Sequence, residues 1–89
     1  SGNLDIVNEF LEKDLIDINI TDDFGNTPLL DACIYKKYKC IDTLFKNINL
    51  DVNHCNNDGK DAITILTKMK KPIKNNDKYL KIIKEIISI

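Results

Sequence analysis

Four side chains in this 89-residue chain have the chemistry of a nucleophile or a metal ligand: Cys33, Cys40, His54 and Cys55. A thiol beside an imidazole can act as a nucleophile–base pair, but only when both face one site. His54 and Cys55 are adjacent, in a stretch that reads as extended, so their side chains point to opposite sides. As zinc ligands the four are separated by six, thirteen and zero residues, which matches no common tetrahedral pattern. Cys33 and Cys40 fall on apolar faces, where a small thiol is an ordinary core residue. Three cysteines without framework spacing read as free thiols of a reducing, intracellular compartment. The three glycines, Gly2, Gly25 and Gly59, make no phosphate-binding loop. The run Lys68-Met69-Lys70-Lys71-Pro72-Ile73-Lys74 is basic enough for nucleic acid or anionic lipid. All thirteen basic residues are Lys, however, and Arg leads phosphate and base recognition. The run therefore reads as a solvated loop between helices, with a partner contact or a localisation signal left open. No catalytic set, metal site or cofactor is expected.

Composition fits a soluble globular domain: 43% apolar and 30% charged residues, with apolar runs too short to span a bilayer. No secretory signal is visible within these residues. Net charge is −1 but unevenly placed. Residues 1–35 hold one Lys and eight acids, a net of −7, and residues 36–89 hold twelve Lys and six acids, a net of +6. Opposite charged patches that steer a partner are one reading of this dipole, and differing solvated faces the other.

The elements that position these groups repeat. Asp17-Ile18-Asn19 returns as Asp51-Val52-Asn53, and Gly25 returns as Gly59, both at an offset of 34. Ile6-Val7 and Phe10-Leu11 return at the same offset as Cys40-Ile41 and Leu44-Phe45, and their spacing is a helical stripe. A third stripe, Ile82, Ile83, Ile86 and Ile87, lies 42 residues after the second, so about eight residues are inserted near 69–77. The cluster Asp22-Asp23-Phe24-Gly25-Asn26 favours a tight turn in which Gly25 takes positive φ. Thr27 then serves as N-cap and Pro28 as first helical residue. Helices are expected over 4–13, 28–36, 39–47, 62–70 and 77–87, with a loop at 71–76. No apolar stripe is covered by its hairpin partner alone, and stacking the hairpins side by side solves that burial problem.

The run Gly25-Asn26-Thr27-Pro28-Leu29-Leu30-Asp31-Ala32 resembles the ankyrin-repeat signature Gly-x-Thr-Pro-Leu-His-x-Ala. Gly2-Asn3-Leu4-Asp5-Ile6-Val7 is similar to the start of the second ankyrin helix, and the two Asp-x-Asn runs resemble the closing Asp-Val-Asn. The resemblance covers essentially the whole chain and is strongest in the middle. It implies an all-α ankyrin-repeat solenoid of stacked helix-turn-helix units with β-turn fingers: a partial repeat over 1–21, a repeat over 22–55, and a divergent repeat with an inserted loop over 56–89. Several positions depart from the family. Leu30 replaces the His that bridges neighbouring turns. Lys36 replaces a helix-turn Gly, so either a side chain is strained at positive φ or the turn differs. Asp61-Ala62-Ile63 replaces Thr-Pro-Leu, and Leu66 replaces a small Ala, which calls for a wider spacing or a shift. The chain begins inside a repeat and neither end reads as a polar cap. Ile86, Ile87 and Ile89 leave an apolar face, so further ankyrin repeats of a longer chain, another chain, or self-association through the ends is expected to cover it.

The resemblance implies a non-enzymatic protein–protein interaction module or scaffold. Carried onto this chain, the partner-binding positions are Asp23, Phe24 and Asn26 on one finger and Asn57, Asp58 and Lys60 on the next. Ile34 and Tyr35 supply the helix face of the middle repeat, and Lys68 and Met69 that of the third. Phe24 either packs on the neighbouring repeat or contacts a partner. A structural spacer within a larger scaffold, or a nucleic-acid or lipid contact through the Lys-rich loop, are the alternatives.

Overall fold

The computed structural model describes residues 17–88, so the helix expected over 4–13 and the terminal Ile89 lie outside the described residues. Among the described residues four helices follow one another: α1 (Pro28–Ile34), α2 (Tyr38–Leu44), α3 (Ala62–Lys68) and α4 (Asn76–Ile87). None among the described residues is long and apolar enough to cross a membrane. α1 packs on α2 and on α3, and α3 packs on α4. Three of the helices have only seven residues, too few to be stable alone in water. Shared burial holds them. Leu29, Leu30, Cys33, Ile41, Ala62, Leu66, Tyr79 and Ile83 form one continuous core that runs through both hairpins. Each large apolar side chain buried there contributes about 1.5–3 kcal/mol.

Helix starts follow local chemistry. The Thr27 hydroxyl accepts the Leu30 N–H (3.3 Å) with Pro28 in the first turn. One repeat later the Asp61 carboxylate accepts the Thr64 N–H (2.8 Å). The α1 stop is sharper than the pattern suggests, at Ile34 and not at 36. The Lys37 N–H donates to the Ala32 carbonyl (2.8 Å) and the Lys36 N–H to the Cys33 carbonyl (3.3 Å), the paired bonds of a left-handed helix cap. That cap puts Lys36 at φ 60°. Of the two alternatives at this position the structure has the first, a lysine side chain held at positive φ where glycine fits best. α2 likewise ends at Leu44, because tighter bonds from Lys46 to Thr43 and from Asn47 to Leu44 close its last turn.

The Asp-x-Asn runs have a physical role. In each, the carboxylate accepts the N–H two residues on: Asp17 accepts that of Asn19 and Asp51 that of Asn53, both at 2.9 Å. The apolar residue between them, Ile18 or Val52, is buried. The Asn19 amide then reaches into the next unit: its Nδ2 donates to the Asn49 carbonyl and its Oδ1 accepts the Asp51 N–H, each at 2.8 Å.

The insertion departs most from expectation. It is divided between a seven-residue connection, against three residues between α1 and α2, and a longer α4 of twelve residues. It is not simply a solvated loop. Ile73 and Asn76 are buried, and the Asn76 Nδ2 donates to the Leu66 carbonyl (3.2 Å). The Lys74 ammonium sits 5.3 Å from the centre of the Tyr38 ring. Tyr79 is fully buried, stacks obliquely on Phe45, and donates its hydroxyl toward the Tyr38 carbonyl (2.9 Å) and the Asp42 carboxylate (2.7 Å). Tyr79 and Lys74 thus tie the insertion to α2, and Ile73 joins it to the core. On α4, Ile83 is fully buried whereas Ile86 and Ile87 are only partly covered, so the apolar end face is narrower than the stripe alone indicates.

Two predictions follow from these geometries. A side chain in the left-handed region costs about 1–2 kcal/mol, and glycine returns about half of that in chain entropy. Lys36→Gly is therefore expected to raise stability by about 0.5–1 kcal/mol in urea unfolding, and Lys36→Val to lower it. Burial first, and the Asp42 carboxylate next, push the Tyr79 hydroxyl up from 10 to about 12. An acid raised on folding stabilises the native state below its unfolded pKa and loses that contribution as pH climbs. Stability is expected to fall between pH 10 and about 12, and Tyr79→Phe removes that component of the fall in alkaline melts.

Candidate functional site

The two fingers are copies of one hydrogen-bonded turn. The Asp22 carboxylate accepts the N–H groups of Phe24 (2.9 Å) and Asn26 (3.0 Å), and the Asp22 carbonyl accepts that of Gly25 (3.0 Å). Thirty-four residues later the Asn56 side-chain oxygen accepts the N–H groups of Asp58 and Lys60, both at 3.0 Å, and its carbonyl that of Gly59 (2.9 Å). Gly25 and Gly59 take φ 76° and 75°.

The fingers are also joined to each other. The Asn57 N–H donates to the Phe24 carbonyl (3.0 Å) and its Nδ2 to the Asp23 carbonyl (3.1 Å). The Asn56 Nδ2 donates to the Asn26 Oδ1 (2.9 Å). The His54 Nε2 donates to the Gly25 carbonyl (2.7 Å), which fixes the proton on that nitrogen. The bridge between neighbouring turns that Leu30 cannot make is thus made by His54 from another position. Its imidazole serves the seam, and Cys55 is exposed beside it. Burial pushes the Cys33 thiol up from 9.0 to about 12, which keeps it neutral and a poor nucleophile. Among the described residues no group of three His, Cys, Asp or Glu side chains is placed to hold a metal ion.

With the fingers locked, their tips and the first helices enclose an open groove of about 780 Å³. Eight of the ten partner-binding positions named from the sequence line it: Phe24, Asn26, Ile34 and Tyr35 on one side, Asp58, Lys60, Lys68 and Met69 on the other. Phe24 and Tyr35 are 72% and 67% exposed. The Phe24 ring is therefore not packed away on the neighbouring repeat, and only its carbonyl is engaged there. Asn26 borders the groove but is buried, its oxygen occupied by Asn56. Its amide serves the seam more than the surface. Asp23 and Asn57 lie on the fingers outside the groove lining, joined to each other through the Asp23 carbonyl.

Lys36, Asn56, Thr64 and Ile65, not among the positions carried over from the family, also line the groove, as do Lys70 and Lys71 of the basic run. The repeat offset carries a signal for two of them, since Lys70 stands 34 residues after Lys36. The groove lining thus combines the apolar Ile34, Ile65 and Met69, two aromatic rings, and five lysines against one carboxylate, Asp58.

A family model described as ankyrin repeats, in three copies, matches residues 1–87. Searches of curated proteins and of solved structures found no match.

The closeness of the seam is testable at one atom. A Cβ on Gly25 would lie 2.9 Å from the Asn57 nitrogen, on a backbone at φ 76°. Gly25→Ala combines that overlap with the left-handed penalty of about 1–2 kcal/mol and is expected to cost at least about 2 kcal/mol in chemical unfolding. Gly59→Ala meets nothing within 4 Å and is expected to cost only the conformational part.

Proposed function

Because the chain belongs to the ankyrin-repeat family, whose repeats are generally protein–protein interaction modules, we propose that it binds a partner polypeptide in the groove between its finger tips and first helices. The carrying observation is the pair of exposed aromatic rings, Phe24 and Tyr35, in a groove that apolar and polar residues line together. Large aromatic anchors surrounded by polar residues are where binding energy concentrates in protein interfaces. The seam contributes in a second way. Backbone turns already cross-linked by Asn56, Asn57 and His54 lose little further freedom on association, which favours affinity. The role is that of a non-enzymatic scaffold. Three free thiols, at Cys33, Cys40 and Cys55, support an intracellular setting, because such thiols persist where the compartment is reducing.

Selection of displayed random peptides on the folded chain tests this reading. Enriched peptides are expected to lose affinity about tenfold on Phe24→Ala or Tyr35→Ala, a cost of about 1–2 kcal/mol at an aromatic anchor. Circular dichroism should be unchanged, since both rings are largely solvent-facing. Peptides that bind equally well to both variants, or no enrichment at all, would remove the groove as the site and leave a spacer role.

A further inference from the structure

We infer that the groove selects an acidic polypeptide segment with apolar side chains, an inference that rests on the groove reading and narrows it. Charge placement carries it. Lys36, Lys60, Lys68, Lys70 and Lys71 line the groove, against the single carboxylate of Asp58. These lysines come from three different elements: the α1–α2 turn, the second finger, and the C-terminal end of α3 with its following segment. They converge on one surface although they are dispersed in the sequence. A segment lying in the groove brings its backbone and side chains among five ammonium groups. Carboxylates at its edges would be attracted by each of them, and basic segments repelled.

The apolar part of the lining decides which anion fits. Ile34, Ile65 and Met69 line the same groove as the lysines. Aliphatic surface stabilises a partner by taking apolar side chains out of water. Phosphodiester chains offer few such groups and favour Arg for their bidentate contacts, and the chain contains no Arg. An amphipathic segment with Asp or Glu alternating with Leu, Phe or Ile satisfies both parts of the groove at once. Lys70 and Lys71 are best placed to discriminate by charge. Both are exposed, and they follow α3 in a segment anchored by buried Ile73, so their position is held without their side chains being used for packing.

The probes are a synthetic peptide of alternating Glu and Leu with one central Phe, its counterpart with Lys for every Glu, and a single-stranded oligonucleotide of the same net charge as the acidic peptide. Fluorescence anisotropy with the whole chain reads binding. The acidic peptide is expected to bind, to weaken as salt rises, and to lose about five- to tenfold on the Lys70→Gln, Lys71→Gln double change, as two exposed ion pairs would. The Lys counterpart should not bind. Phe24→Ala should weaken the acidic peptide without altering its salt dependence, which separates the apolar contact from the charge contact.

Equal binding of the Lys counterpart, or insensitivity to both salt and the lysine changes, overturns the acidic preference. Tighter binding by the oligonucleotide overturns it in favour of nucleic acid. If displayed random peptides require Phe24 and Tyr35 yet are not enriched in Asp and Glu, the acidic preference fails while the groove reading stands. If they do not require the two rings, the groove reading itself fails.

Discussion

The fold depends on making one finger's backbone the hydrogen-bond partner of the next finger's side chains. Each turn could close on its own, since Asp22 and Asn56 satisfy their own local N–H groups. What fixes the second turn against the first is a set of bonds between units: Asn57 to the carbonyls of Asp23 and Phe24, His54 to that of Gly25, and Asn56 to the Asn26 side chain. Asn19 does the same from the other side of the fingers, clamping the backbone at Asn49 and Asp51. Short amides suit this position. They carry a donor and an acceptor on a side chain with little rotamer freedom to lose. Position 56 shows the distinction. Asp22 and Asn56 both cap their own turns, but only the amide can also donate across to its neighbour.

That division explains what was legible in the sequence and what was not. Features internal to one unit are written in it and recur at one offset. Gly25 at positive φ with its copy Gly59, Thr27 and Pro28 opening α1, and the return of the Asp-x-Asn run all read directly from residue type and spacing. Interactions between units are not written locally. Asn26 at a turn tip has the look of a solvent-facing contact residue, yet its oxygen is taken by a side chain 30 residues on. His54 beside Cys55 reads from the sequence as a pair that cannot share one site, but the imidazole's partner, the Gly25 carbonyl, lies 29 residues away and is not written locally. The insertion misled for a related reason: lysine content points to solvent, while one buried isoleucine and one buried tyrosine decide where it lies.

The site was legible to the extent that it follows the repeat. Positions carried over from the family motif converge because finger tips and first helices of stacked units necessarily share a face. The positions missed are those in which this chain is individual. Ile65 occupies the place that Asp31 holds one repeat earlier, so the repeat offset gave no reason to expect an apolar residue there. The lysines were visible as a basic run, but their meaning depends on Lys36 and Lys60 meeting them across the groove. Sequence order shows a chain acidic at one end and basic at the other; only the fold turns part of that asymmetry into a lined surface.

Lys36 is where the two demands of the molecule meet. The helix cap requires positive φ at this residue, and the paired bonds to Ala32 and Cys33 hold it there. Glycine would satisfy the cap with less strain, and stability alone gives no reason for a lysine. The same residue stands next to Tyr35 on the groove lining, where glycine would bring neither charge nor surface. Strain retained in the backbone beside the groove proposed to bind a partner points from the observed outlier to a use for the side chain. At the equivalent place one repeat on, Lys70 is free of the left-handed constraint, because the insertion replaces the tight turn with a longer connection. Both repeats therefore present an ammonium group beside the groove by different backbone routes, and what the two routes have in common is the charge.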